Sequence, residues 1–93
     1  MEAVETRVAV IAIIVREGTR VAALNDLLHQ YGPYIVGRMG VPYREKGVNI
    51  ISVAMDAPGD VISALSGKLG RLGGVTAKTV YAPAGSVGKD EKP

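Results

Sequence analysis

Two stretches of this chain are apolar at every alternate position on both sides. From Arg7 to Val15 the residues Val8, Val10, Ala12 and Ile14 alternate with Ala9, Ile11, Ile13 and Val15. From Val48 to Met55 the run is again apolar in both phases, broken only by Asn49 and Ser52. β-branched runs of this length predict strands, and apolar residues on both faces place them in the middle of a sheet with cover on each side. Between them Val21, Leu24, Leu27, Leu28 and Tyr31 recur at spacings of three and four, which predicts a helix with Thr19 as N-cap and Gly32-Pro33 as its stop. A second helix follows Asp56-Ala57-Pro58-Gly59-Asp60, with Ile62, Leu65, Leu69 and Leu72 on its apolar stripe and Gly73-Gly74 after it. Two further strands are predicted from about Tyr34 to Val41 and from Val75 to Tyr81.

The predicted order is β-α-β-β-α-β, a strand-helix-strand unit used twice at an offset of roughly 40 residues. This order predicts an α+β class, ferredoxin-like sandwich: a four-stranded antiparallel sheet with two helices on one face. The ferredoxin-like arrangement puts the first and third strands in the centre, and those are the two strands apolar on both faces. The domain spans residues 7–82, and residues 83–93, rich in Pro, Gly, Ser and charge, form a mobile tail. With helices on one face only, the other face of a Val-Ile-rich sheet is an association surface, so a homo-oligomer, dimer or tetramer, through the sheet is expected.

Composition narrows the chemistry. A length of 93 residues fits one core. The formal charge of +2 comes from basic residues spread along the chain, which is no footprint for direct nucleic-acid binding. The chain has no Cys, Phe or Trp, and a single His, so thiol chemistry, a multi-histidine metal site and base stacking on the central strands find no residues. No cofactor, metal or catalytic residue is assigned. The run from Val8 to Val15 is too short to cross a bilayer, and the start Met-Glu-Ala-Val-Glu lacks a basic n-region, so a cytoplasmic protein without membrane contact is expected.

The most informative stretch is Gly37-Arg38-Met39-Gly40. Two glycines weaken a strand, so something other than strand stability is expected to select them. On a regular strand Gly37, Met39 and Val41 share a face with Ile35, while Arg38 and Gly40 share the other with Tyr34 and Val36. The site predicted from this stretch comprises Arg38, Met39, Gly40, Tyr43 and Arg44, with Asn49 on the paired strand. Arg38 would pair an anion, Gly40 would give access to the backbone, and Tyr43 would stack or offer its hydroxyl. The plainer reading is an edge bulge with a solvated arginine. A small acylphosphatase-like hydrolase is the rival function, with Arg16 and Asn49 as its nearest residues. A purely structural oligomerisation domain is the third. Gly67-Lys68-Leu69-Gly70-Arg71-Leu72-Gly73-Gly74 is glycine-rich, but it closes a helix, where the dipole repels anions.

The run Tyr31 to Ser52, Tyr-Gly-Pro-Tyr-Ile-Val-Gly-Arg-Met-Gly-Val-Pro-Tyr-Arg-Glu-Lys-Gly-Val-Asn-Ile-Ile-Ser, together with Ser66 to Val75, resembles the small proteins named iron-only hydrogenase system regulators. The resemblance extends from about Arg7 to Val80. It implies a fold similar to the ACT-like regulatory domain of the nickel-responsive regulators. Such domains associate through sheets or edges and bind small effectors between subunits. The chain departs from the nickel-responsive regulators in having no ribbon-helix-helix segment and no His and Cys ligand set. The resemblance therefore implies a regulatory or sensor module rather than a DNA-binding or nickel-binding protein.

Overall fold

The computed structural model describes residues 5–19 and 21–83, so most of the predicted 83–93 tail lies outside the described residues. The elements are β1 (Arg7–Arg16), α1 (Val21–Gln30), β2 (Ile35–Tyr43), β3 (Val48–Ala57), α2 (Gly59–Gly70) and β4 (Val75–Tyr81). Short 3-10 turns, Gly32–Tyr34 and Arg44–Lys46, flank β2. The sheet order is β2-β3-β1-β4 with every neighbouring pair antiparallel. This is the ferredoxin-like α+β sandwich, with β1 and β3 in the centre as the double apolar periodicity requires.

One core forms, on one face. Ile11, Ile13 and Val15 of β1, with Val53 and Met55 of β3, pack against Leu24 and Leu28 of α1 and against Ile62, Leu65 and Leu69 of α2. Along β1 the other phase is exposed without exception. The two-sided cover that an apolar central strand calls for is thus supplied on one side only by the described chain.

Element ends differ from the periodicity where backbone chemistry intervenes. β3 runs two residues further than expected, to Ala57, so Asp56 is a strand residue rather than a helix cap. α1 ends at Gln30, and Gly32 opens a 3-10 turn with Pro33 instead of adopting a left-handed cap. β2 continues through Pro42 to Tyr43, which an edge strand allows because one side of its backbone needs no partner. Lys68 donates to the Tyr31 hydroxyl at 3.0 Å and so joins the ends of the two helices. Gly67, expected to permit close helix packing, is exposed, and a Cβ there would meet only an Arg71 nitrogen at 3.7 Å.

The register of β2 slips between Ile35, opposite Met55, and Gly37, opposite Ala54. Val36 is the extra residue, 73% exposed. This bulge puts Ile35 on the helix face, where it packs on the core, and moves it away from the face of Gly37, Met39 and Val41. Simple alternation, which grouped those four, fails at that one residue.

Three backbone bonds pin the end of the sheet where β1 enters α1. The Arg16 amide donates to the Gly74 carbonyl at 2.8 Å, the Glu17 amide to Gly47 at 2.7 Å, and the Thr19 amide to Arg16 at 3.1 Å. Gly74 has φ +80, and a Cβ on it would collide with the Thr19 hydroxyl. Gly73, its neighbour, has open space and no positive φ. Gly74→Ala is therefore expected to cost about 2 kcal/mol or more, and Gly73→Ala under about 0.5 kcal/mol. Urea denaturation of the two variants beside the parent checks this, and equal costs would contradict it.

Candidate functional site

β2 alternates from Gly37 onward, and its two faces do different things. Arg38 lies opposite Val53, Gly40 opposite Ile51 and Pro42 opposite Asn49, all on the helix face. Met39 lies opposite Ser52, Val41 opposite Ile50 and Tyr43 opposite Val48, on the open face. The six residues predicted as a site are therefore split. Arg38, Gly40 and Asn49 come together; Met39 and Tyr43 point away from them; Arg44 sits in the turn beyond.

Arg38, Gly40 and Asn49 line a cleft of about 210 Å³ between α1 and the β2 edge. α1 contributes Val21, Leu24 and Asn25, and the floor includes Val15 and Ile51. Asn25 and Val21 were missed by sequence reasoning. The available signal was Asn25 at the margin of the apolar stripe, beside Leu24 and four residues after Val21. Among the described residues the Arg38 guanidinium forms no hydrogen bond or ion pair, so its donors are available to a ligand. Gly40 has no positive φ, and a Cβ there would meet only Ile51 Cγ1, at 4.0 Å. Neither backbone conformation nor crowding within the chain calls for glycine at this position.

Arg44 lines an adjoining cleft of about 200 Å³ with Glu17, Gly47 and Val48, sharing Pro42 and Asn49 with the first. On the opposite side of the sheet, Arg16 lies with Ile14, Val48 and Thr76 along a shallow depression of about 290 Å³. The alternation of β1 thus separates Arg16 from Asn49, which is paired with buried Val15. His29, on α1, is exposed. No group of three or more His, Cys, Asp or Glu that could hold a metal ion occurs among the described residues.

The open face carries a band of apolar side chains, with Ser52, Thr76 and Lys78 set among them. Across the strands it presents Val8, Val10 and Ile14 of β1, Ile50 of β3, Met39, Val41 and Tyr43 of β2, and Val80 of β4. Met39 is 60% and Val80 67% exposed. Among the described residues no helix is long and apolar enough to cross a membrane.

The fold is that of a ferredoxin-like domain with a small cleft at one edge strand and an apolar sheet face left bare. The chain belongs to the TM1266-like family, described as "Iron-only hydrogenase system regulator, putative", whose model matches residues 7–79. It is similar to the solved structure of an uncharacterized protein, TM1266 from Thermotoga maritima, at 38% identity and a TM-score of 0.81. The match covers 85% of this chain and 100% of that one. Comparison with curated proteins gives no match.

Because Arg38 has no partner within the described chain and Gly40 has room for a side chain, neither is expected to support the fold. Arg38→Ala should change unfolding free energy by less than about 0.5 kcal/mol. Gly40→Val should leave it unchanged or raise it by up to about 1 kcal/mol, since valine suits a strand and glycine does not. Thermal melts of both variants check this; a large loss in either would show a structural role.

Proposed function

We propose that this chain is a non-enzymatic regulatory module of an iron-only hydrogenase system. It works as a cytoplasmic homo-oligomer formed through its open sheet face, and it reads a small effector at Arg38, on the opposite face of the edge strand that supplies Met39 and Val41 to the contact. The observation that carries this is the bare apolar face. Strands of 7–10 residues at about 3.3 Å per residue, set about 4.8 Å apart, give that face roughly 600 Å². Two copies face to face would bury roughly 1,200 Å², the lower end of stable protein interfaces. That extent favours a dimer through the sheet, and a tetramer would recruit the β2 edge as well.

The hydrolase reading loses support on two counts. Arg16 and Asn49, the residues it would use, lie on opposite sides of the sheet. Three of the loop amides that could cradle an acyl phosphate, those of Arg16, Glu17 and Thr19, already donate to backbone carbonyls. A purely structural domain would need the apolar face alone. It gives no account of an unpaired arginine beside a glycine that the fold does not require.

Light scattering of the full chain at micromolar concentration should give at least twice the mass of one chain. Ile14→Glu or Ile50→Glu, each placing a charge in the middle of the face, should shift it to a monomer that retains its helical and strand circular dichroism. A parent protein that runs as a monomer would overturn the oligomeric reading.

A further inference from the structure

The Arg38 cleft specifies more than an anion, and the chemical identity of its occupant rests on the effector role proposed for Arg38. We infer that this occupant is a short-chain aliphatic carboxylic acid with a neighbouring carbonyl or hydroxyl oxygen and no amine, a 2-oxo or 2-hydroxy acid. Among the described residues Arg38 is the one charged side chain in the lining, and its planar fork matches a single carboxylate. A phosphate dianion would keep one charge without a partner there. The carboxamides of Asn25 and Asn49, also free of hydrogen bonds among the described residues, can donate to a second oxygen beside the acid.

The remaining wall selects the tail. Val21, Leu24 and Ile51 are aliphatic, and among the described residues the lining holds no aromatic ring, so a short branched chain fits better than a ring that would stack. A volume of about 210 Å³ lies below the roughly 300–1,000 Å³ of pockets that enclose drug-sized molecules, which favours a small occupant over a nucleotide. The lining also holds no carboxylate among the described residues. The ammonium of an amino acid seated on Arg38 would have no charged partner, because Glu17 belongs to the adjoining cleft and shares it with Arg44. Gly40 completes the argument. Its missing side chain is required by nothing inside the chain, and it stands in the lining, where a larger residue would take the space of the tail.

The test is calorimetric titration of the full chain with 2-oxoisovalerate, 2-hydroxyisovalerate, L-valine and inorganic phosphate, paired with thermal melts. The expected result is saturable binding of the oxo or hydroxy acid at least about tenfold tighter than L-valine or phosphate. Arg38→Gln and Gly40→Val should each weaken that binding at least tenfold while melting, without ligand, within a few degrees of the parent. Arg38-dependent binding that favours L-valine or phosphate overturns the acid assignment and leaves the effector role standing. Equal binding by the Gly40→Val protein overturns the assignment of the cleft. Absence of binding by all four probes overturns this inference, and the light-scattering result, which tests the oligomer alone, is untouched by it.

Discussion

Everything in this molecule depends on a mismatch between a sheet apolar on two faces and helices enough for one. Ile11, Ile13 and Val15 are buried beneath α1 and α2, and the alternate residues Val10 and Ile14 are as apolar but exposed. A strand side chain cannot choose its face, because the pleat sends successive residues to opposite sides. The core that makes the domain fold therefore fixes, residue by residue, the composition of the surface that it presents. The hydrophobic stabilisation gained on the helix side comes with an uncovered layer on the other, and association is the natural way to remove that layer from water.

The same alternation governs the edge strand, with one interruption. At Val36 the bulge shifts the phase of β2, so that Arg38 and Gly40 reach the helix side while Met39, Val41 and Tyr43 reach the open side. One strand then lines a cleft with one set of side chains and extends an apolar surface with the other. The two surfaces share a backbone and are separated only by its thickness. A change in how β2 lies against α1 must also change how Met39 and Val41 lie on the open face. The backbone of β2 is thus the one physical connection between the lining of the cleft and the apolar surface.

Much of the fold was legible because its signals are periodic and local. The double periodicity of β1 and β3 identified the central strands, and the stripes of α1 and α2 identified the helices. What escaped was backbone detail at single residues. No alternation reveals that Val36 is an extra residue, and so the face shared by Ile35 and Met39 was misassigned. The persistence of β2 through Pro42 depends on that strand being an edge, which is a property of the whole sheet. The site was legible in part. The unusual Gly-Arg-Met-Gly run pointed to Arg38 and Gly40, while Asn25 could not be joined to them, because only the crossing of α1 over β2 brings it there.

The backbone bonds from Arg16 and Glu17 to Gly74 and Gly47 have a consequence of their own. They tie the entry to α1 to the turn before β3 and to the turn before β4, so three connections at one end of the sheet hold one another in place. At the other end Arg7 stacks on Tyr81 and donates to the Ala82 carbonyl, while the Ala82 amide donates to Val8. The Arg38 cleft opens next to this lacing, close to Pro42 and Asn49, so the backbone behind its walls is held from two sides, and the ordering left to binding is that of the Arg38 side chain itself.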